Sequence, residues 1–204
     1  MSQKEYMRNK FNFFGIKDKP RRKATREFMQ KDNRPDYENL DVIIKKLWEM
    51  KEREYQYFAT ELLERYKKKF TKEIINLLEY MITNKSWWDT VDRIAKKLVG
   101  KYFELFPNKR NRYLQKWVKS NNIWLQRTAL LFQLGYKENT DVDLLFDLIN
   151  KLKDIDEFFI QKAIGWSLRE YSRIEPKVVK EFIQNHNLSS LSKREGMKLI
   201  NKND

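Results

Sequence analysis

The chain has 204 residues, no cysteine and one histidine, and it carries 43 Lys and Arg against 29 Asp and Glu. The lack of cysteine excludes a disulfide framework, a thiol nucleophile, a zinc–thiolate site and an iron–sulfur cluster. His186 alone cannot supply a multi-histidine metal site, and a Ser-His-Asp triad would have to be built on it. The net charge of +14 favours a polyanionic partner, above all a nucleic acid.

Nothing in the composition requires a metal, a cofactor or an oligomer. We therefore expect a monomer that binds neither a metal nor a cofactor. No apolar run approaches the roughly 20 residues that span a bilayer, and we expect no membrane partner. The first ten residues are polar and lack the apolar core of a signal peptide. A cytoplasmic protein is the simplest expectation.

Glycine and proline are scarce, and the hydrophobic pattern has a period of 3.6 residues, which predicts an all-α chain. Short connections predict that successive helices pack antiparallel. We expect helix N-terminal caps at Thr140, with Asp143 three residues on, and at Ser192, with Glu195. The predicted helices are 21–31, 37–50, 52–70, 72–83, 87–106, 111–119, 123–134, 141–152, 156–173, 177–184 and 193–202.

Similar aromatic-rich segments recur at intervals of about 35 residues, beginning at Tyr55, Trp87, Trp124 and Phe159. A helical-pair unit at this interval is typical of an α-solenoid of HEAT-like antiparallel helix pairs. We therefore predict a single superhelical domain over residues 1–204. The alternative is an irregular helical bundle.

The stretch 85–92, Lys-Ser-Trp-Trp-Asp-Thr-Val-Asp, places an aromatic side chain beside a carboxylate. Trp88 and Asp92 stand at positions i and i+4, so they share one face of a helix. Such a pair suits a cation, or a sugar that develops positive charge. The alternative is that Trp88 belongs to the core and that Asp92 is merely solvated.

If the repeats are equivalent, their helices line one concave groove in which aromatic and cationic residues alternate. Cations in such a groove would meet phosphates, and tryptophans would meet sugars or bases. The alternative is that the lysines and arginines are ordinary solvated faces. The residues expected in the groove are Trp88, Asp92, Arg127, Lys162, Trp166, Arg169, Lys193 and Arg194.

The ordered motifs at 85–92, 122–127, 158–171 and 191–195 together resemble the bacterial DNA alkylation repair family. These are the AlkD-like alkylpurine DNA glycosylases with HEAT-like repeats. The resemblance runs from about residue 9 to the end of the chain. Family members usually carry a longer N-terminal helical segment, and we expect its shortening to affect DNA affinity more than chemistry.

The resemblance implies a solenoid that grips duplex DNA and a monofunctional glycosylase that removes cationic N3- and N7-alkylated purines. It implies that Asp92, Trp88 and Trp166 are catalytic and that Arg127 holds a phosphate near the lesion. The groove adds DNA-binding roles for Lys162, Arg169, Lys193 and Arg194.

The chemistry of these residues fits such a reaction. A cationic base leaves as a neutral molecule, so no protonating acid is needed, and a carboxylate can stabilise the oxocarbenium-like sugar and align water. Two alternatives remain from the sequence: a non-catalytic module that binds DNA or RNA by charge, and a protein-binding HEAT-repeat scaffold.

Overall fold

The computed structural model describes residues 2–202. Within these residues the regular secondary structure is helical, and the only extended pairing is an isolated bridge between Asn12 and Glu52. The all-α prediction is therefore confirmed. The chain divides into two compact units between Lys85 and Ser86, and each is described by itself. The assignment of residues 1–204 to a single domain stays a prediction.

The first unit packs three amphipathic helices around aliphatic and aromatic side chains. Its fully buried residues include Ile44, Trp48, Leu63 and Leu78. The elements of this unit are α1 (Gln3–Tyr6), α2 (Asp18–Ala24), α3 (Leu40–Glu49), α4 (Arg53–Glu64) and α5 (Ile74–Thr83), with short 3-10 turns at Glu27–Met29, Lys31–Asn33 and Tyr37–Asn39.

A buried carboxylate fixes the loop that precedes α2. The carboxylate of Glu54, on α4, accepts hydrogen bonds from the backbone N–H groups of Phe14, Gly15 and Ile16 at 3.0–3.2 Å. Gly15 has a φ of +82°, a conformation that costs glycine nothing and that other residues rarely adopt. The loop is thus held to α4 through its backbone N–H groups.

The second unit contains the predicted site residues. Its core is made of side chains such as Ile94, Trp117, Leu131 and Ile164, all with almost no exposed surface. The elements are α6 (Trp88–Ile94), α7 (Gly100–Leu105), α8 (Pro107–Val118), α9 (Ile123–Leu131), α10 (Val142–Leu152), α11 (Phe158–Tyr171), α12 (Pro176–Asn185) and α13 (Ser190–Gly196), with 3-10 turns at Lys137–Asn139 and Ile200–Lys202.

Helices α6 and α7 are one continuous helix with a π-helical segment between them, Ala95–Val99. A π segment places an extra residue in the turn, and such segments are common near functional sites. Here the segment begins three residues after Asp92. It separates the part of the helix that carries Asp92 from the part that carries the buried Tyr102 and Phe103.

Two helices start three or more residues earlier than predicted, each with a proline in its first turn. Proline is tolerated in the first turn of a helix because the N–H that it lacks has no partner there. The helix predicted at 21–31 starts earlier, at Asp18, with Pro20 in its first turn, and ends at Ala24. The helix predicted at 111–119 likewise starts at Pro107.

Both predicted caps are also wrong. Helix α10 is capped by Asp141, which accepts the N–H of Leu144 at 3.1 Å, while the hydroxyl of Thr140 donates to Lys137 O. Helix α13 is capped by Ser189, which accepts the N–H of Ser192 at 3.2 Å. The first cap lies one residue after the predicted position, and the second lies three residues before it.

Within residues 2–202, no helix is both long enough and apolar enough to cross a lipid bilayer.

Candidate active site

The centre of the candidate site is a buried ion pair between α6 and α9. The guanidinium of Arg127 donates from Nε to Oδ1 of Asp92 at 2.7 Å and from Nη2 to Oδ2 at 2.9 Å. The side chains are 14% exposed for Asp92 and 5% exposed for Arg127. This two-point geometry fixes the plane of the carboxylate, because both of its oxygens are held.

A third acceptor completes the surroundings of Arg127. Its Nη1 group donates to the backbone oxygen of Phe159, the second residue of α11, and its guanidinium carbon lies 5.9 Å from the centre of the Phe159 ring. An arginine has five N–H donors, so two remain after these three bonds. The two remaining N–H donors of Arg127 have very little access to solvent, because the side chain is only 5% exposed.

Three aromatic side chains pack together where the three helices begin. The Trp87 ring lies 5.0 Å from the ring of Phe159 and 5.7 Å from that of Trp124, and the last two rings are 5.0 Å apart. Edge-to-face and tilted contacts of this kind add stability beyond simple burial. The cluster joins the starts of α6, α9 and α11, and it thereby fixes the helices that carry Asp92 and Arg127.

The start of α9 is set by local polar contacts. The Oδ1 atom of Asn122 accepts the N–H groups of Trp124 at 2.9 Å and Leu125 at 3.2 Å. The side-chain amide of Gln126 donates to the backbone oxygens of Val118 and Ser120. Arg127 therefore projects from a helix turn whose orientation is already determined.

Burial and charge oppose each other at Asp92. Burial raises the pKa of its carboxyl group, the hydrogen bonds and charge of Arg127 lower it, and Asp89 raises it a little further; the net effect is a pKa above the usual value. When it is ionised, a carboxylate in such a desolvated site interacts strongly with a positive charge that develops nearby. Perturbed carboxylates of this kind are frequent at functional sites.

The two predicted catalytic tryptophans occupy different places. Trp88 is the first residue of α6, partly exposed and one turn before Asp92. Trp166 lies in the middle of α11, also partly exposed, two turns after Phe159. Both rings therefore have surface available for a ligand, which separates them from the buried Trp87.

Two of the predicted DNA-binding cations converge on one carboxylate. Lys162 Nζ lies 2.9 Å from Oε1 of Glu195, and Arg169 Nη1 lies 2.6 Å from Oε2. Lys198 also reaches Oε1, at 2.6 Å. Burial alone would raise the pKa of Glu195, but the hydrogen bonds from Lys198, Lys162 and Arg169 outweigh it and hold the pKa at about 2.

The other two predicted cations lie on α13. Lys193 is partly exposed and Arg194 is exposed, so both present charge to solvent. Their DNA-binding roles stay predictions. The phosphate contact of Arg127 also stays a prediction, and the structure gives this buried guanidinium three protein acceptors instead.

Sequence reasoning missed two contributors to this region. The carbonyl of Phe159 holds Arg127, a backbone contact that no sequence motif indicates. Glu195 was expected in a capping box, whereas it binds three cations. The sequence signal for this close contact was Gly165, because a glycine in a helix permits another helix to approach closely. Among the described residues there is no cluster of three or more histidine, aspartate or glutamate side chains that could hold a metal ion.

Comparison with solved structures defines the class of fold first. The protein is similar to AlkD2 from Streptococcus mutans, with a TM-score of 0.68 and 18% identity over 96% of this chain and 97% of that one. It is also similar to a predicted DNA alkylation repair enzyme from Enterococcus faecalis, with a TM-score of 0.90 and 35% identity over 98% of this chain and 93% of that one. The fold is thus an all-α fold of the AlkD type, as the sequence predicted.

The family follows from the sequence match. Residues 1–200 match the model of the family described as DNA alkylation repair enzyme. Together with the Enterococcus relative, this shows that the chain belongs to the DNA alkylation repair enzyme family. Membership assigns the protein to the repair of alkylation damage in DNA. No curated protein sequence matches the chain at a significant level.

Proposed function

We propose that this protein is a DNA glycosylase that hydrolyses the N-glycosidic bond of cationic N3- and N7-alkylated purines in duplex DNA and leaves an abasic site. The observation that carries the proposal is the carboxylate of Asp92, desolvated, held at both oxygens and one turn from a partly exposed tryptophan. Membership in a DNA alkylation repair family supports the substrate class.

The leaving group explains why the site can be simple. Alkylation at N3 or N7 gives the purine a positive charge, so the base departs as a neutral molecule when the bond to the sugar breaks. No acid needs to protonate it, which suits a chain with one histidine that lies at the end of α12. The positive charge passes to the deoxyribose, as in other glycoside hydrolyses.

Asp92 acts on that sugar. Its negative charge stabilises the oxocarbenium-like ring, and its lone pairs align or deprotonate the attacking water. Each carboxylate oxygen accepts one bond from Arg127, and each has a second lone pair available for water. We assign Arg127 chiefly to positioning Asp92, because the guanidinium is buried and already holds three acceptors.

Trp88 and Trp166 supply aromatic surfaces on either side of the reacting nucleotide. A tryptophan face near a cation contributes about 1–2 kcal/mol where water is excluded. The exposed or partly exposed cations Lys162, Arg169, Lys193 and Arg194 bind the phosphates of the duplex. Selectivity then comes largely from the charge of the lesion, and neutral lesions such as hypoxanthine should be removed slowly.

The test is release of free base from methylated duplex DNA in the presence of EDTA. Wild type should release 7-methylguanine or 3-methyladenine, and Asp92→Asn should release it at least about a hundredfold more slowly, with DNA affinity equal or slightly higher. Asp89→Asn is the matched control, since it removes the same charge from the same helix, at a residue whose Oδ1 accepts the N–H of Thr90. Unchanged activity in Asp92→Asn would refute the central role of Asp92.

One observation favours a second candidate, a DNA-binding module without catalysis. A buried carboxylate that is fully paired with an arginine also has a structural explanation, and such pairs are weak indicators of chemistry by themselves. This candidate predicts salt-sensitive DNA binding with no base release by wild type or by either variant. The base-release assay separates the two candidates directly.

We further propose that the protein works as a monomer in the cytoplasm. Asp92, Arg127, Trp88 and Trp166 all come from one chain, so the proposed chemistry needs no second copy. A cytoplasmic location fits the proposed substrate, since the similar proteins come from Enterococcus faecalis and Streptococcus mutans, bacteria whose chromosomal DNA lies in the cytoplasm.

A further inference from the structure

Glu195 is a buried acid at the surface that we propose for DNA binding. Its side chain is 6% exposed, whereas those of its partners Lys162, Arg169 and Lys198 are 35%, 25% and 48% exposed. A negative charge placed there repels phosphate, so it is unfavourable for DNA affinity unless it also organises the cations around it. With three cations and one carboxylate, the group keeps a net charge of +2.

The backbone is built to bring this acid against α11. A Cβ atom at Gly165 would lie 2.4 Å from the Cβ of Glu195 and 3.0 Å from the backbone oxygen of Ser192, so only glycine permits this approach. The hydroxyl of Ser192 donates to the backbone oxygen of Gln161 at 2.9 Å and ties the start of α13 to α11. The position of Glu195 is therefore set by close helix packing.

The bound cations have a regular spacing on α11. Lys162, Trp166 and Arg169 stand at positions i, i+4 and i+7, so they form one stripe on the helix face with the tryptophan in the middle. Glu195 takes Lys162 on one oxygen and Arg169 on the other. One carboxylate thus restrains the cations on both sides of Trp166.

Lys162 and Arg169 each have more N–H donors than the contact with Glu195 requires. A lysine ammonium has three donors and an arginine has five, and each side chain is partly exposed. Restraint lowers the conformational entropy that long side chains lose when they bind a phosphate. The carboxylate therefore weakens the electrostatic attraction of this surface for DNA, but it preorganises the two cations that bind phosphate.

We propose that Glu195 is a positioning residue for DNA binding, which holds Lys162 and Arg169 on either side of Trp166 so that both meet phosphates of the strand whose sugar Trp166 contacts. The proposal rests on the proposed function, since it takes α11 as part of the DNA-binding surface. It assigns to an acidic residue a favourable role in binding a polyanion, which charge alone would not predict.

The experiment measures affinity for undamaged duplex DNA at several salt concentrations. Glu195→Gln removes the charge at nearly constant shape, and Glu195→Asp keeps the charge but shortens the reach by one methylene. Both should weaken binding at least about fivefold and lower the slope of log affinity against log salt by about one, because ordered phosphate contacts are lost. Glu170→Gln is the control, because it removes one charge from α11 at a residue paired with Arg173.

The control should bind as tightly as wild type or slightly tighter. If Glu195→Gln and Glu195→Asp do the same while their thermal unfolding shows a folded protein, the positioning role is overturned. Should Glu195→Gln fail to fold, Glu195→Asp decides, because it keeps a negative charge at this buried position while its shorter side chain no longer holds both Lys162 and Arg169 in place. If the wild type releases alkylated base but neither Glu195 substitution weakens DNA binding, only this inference is refuted. If the wild type does not bind DNA at all, the proposed function is refuted as well.

Discussion

Arg127 binds both carboxylate oxygens of Asp92 across 35 residues of sequence. The pair links α6 to α9, and the bond from Arg127 to Phe159 O extends the link to α11. One guanidinium therefore sets the orientation of the proposed catalytic carboxylate relative to three helices.

The first prediction concerns the pH dependence of base release. Arg127 lowers the pKa of Asp92 against the effect of burial, so removing the guanidinium raises that pKa further. Because the ionised carboxylate is the active form, Arg127→Met should lose activity at a higher pH than wild type as the solution is acidified. Arg127→Lys, which keeps a charge but cannot hold both oxygens, should fall between them. Single-turnover rates across pH measure this, and a lower rate with an unshifted profile would contradict it.

The second prediction concerns the aromatic surfaces. Trp166→Leu should slow removal of a cationic purine about tenfold, since a cation–π contribution of about 1–2 kcal/mol is lost. Affinity for undamaged DNA should change much less, because the leucine still covers apolar surface. Trp88→Leu provides the comparison on the other side of the site. Equal loss of binding and catalysis would mean that these rings contribute general affinity instead.

The third prediction concerns salt. Affinity for duplex DNA should fall steeply from low to physiological ionic strength, because phosphate contacts release counterions. Lys162→Gln should reduce the slope by about one, whereas Lys151→Gln, at a lysine paired with Asp147 on α10, should leave it unchanged. A flat salt response of the wild type would favour a protein-binding scaffold.

The fourth prediction concerns stability. Alanine normally favours a helix over glycine by about 1 kcal/mol, yet Gly165→Ala should destabilise the protein by about 1–3 kcal/mol. The reason is the 2.4 Å contact that its Cβ would make with Glu195 Cβ. The free energy of unfolding from urea denaturation measures the change. In a Glu195→Gly background the same substitution should cost less, and an equal cost would show that the contact is not the cause.

The amphipathic segments were predictable because each carries its own periodicity. The helix at Val142 is one of these segments, and it begins within one residue of its predicted position. Asp92 with Trp88 emerged from local spacing alone. The shared face of Trp88 and Asp92 needed only the geometry of one helix.

The partners of those residues could not be predicted in the same way. The family resemblance implied that Arg127 holds a phosphate. Its pairing with Asp92 could not be predicted, because it depends on how α6 and α9 pack, which no local pattern encodes. Glu195 was expected to cap a helix, because the spacing Ser-x-x-Glu fits a capping box. Its observed role as a buried acceptor for three cations depends on the close packing of α13 against Gly165, which is a tertiary effect.

The π segment Ala95–Val99 makes one helix serve two different faces. Removing one residue there would restore a regular α-helix and turn the preceding part by about 100° relative to Tyr102 and Phe103. Asp92 would then point away from Arg127, and Ile94, a core residue on the same part of the helix, would turn out of the core. The extra residue therefore keeps the carboxylate and the core side chains of one helix in register at the same time.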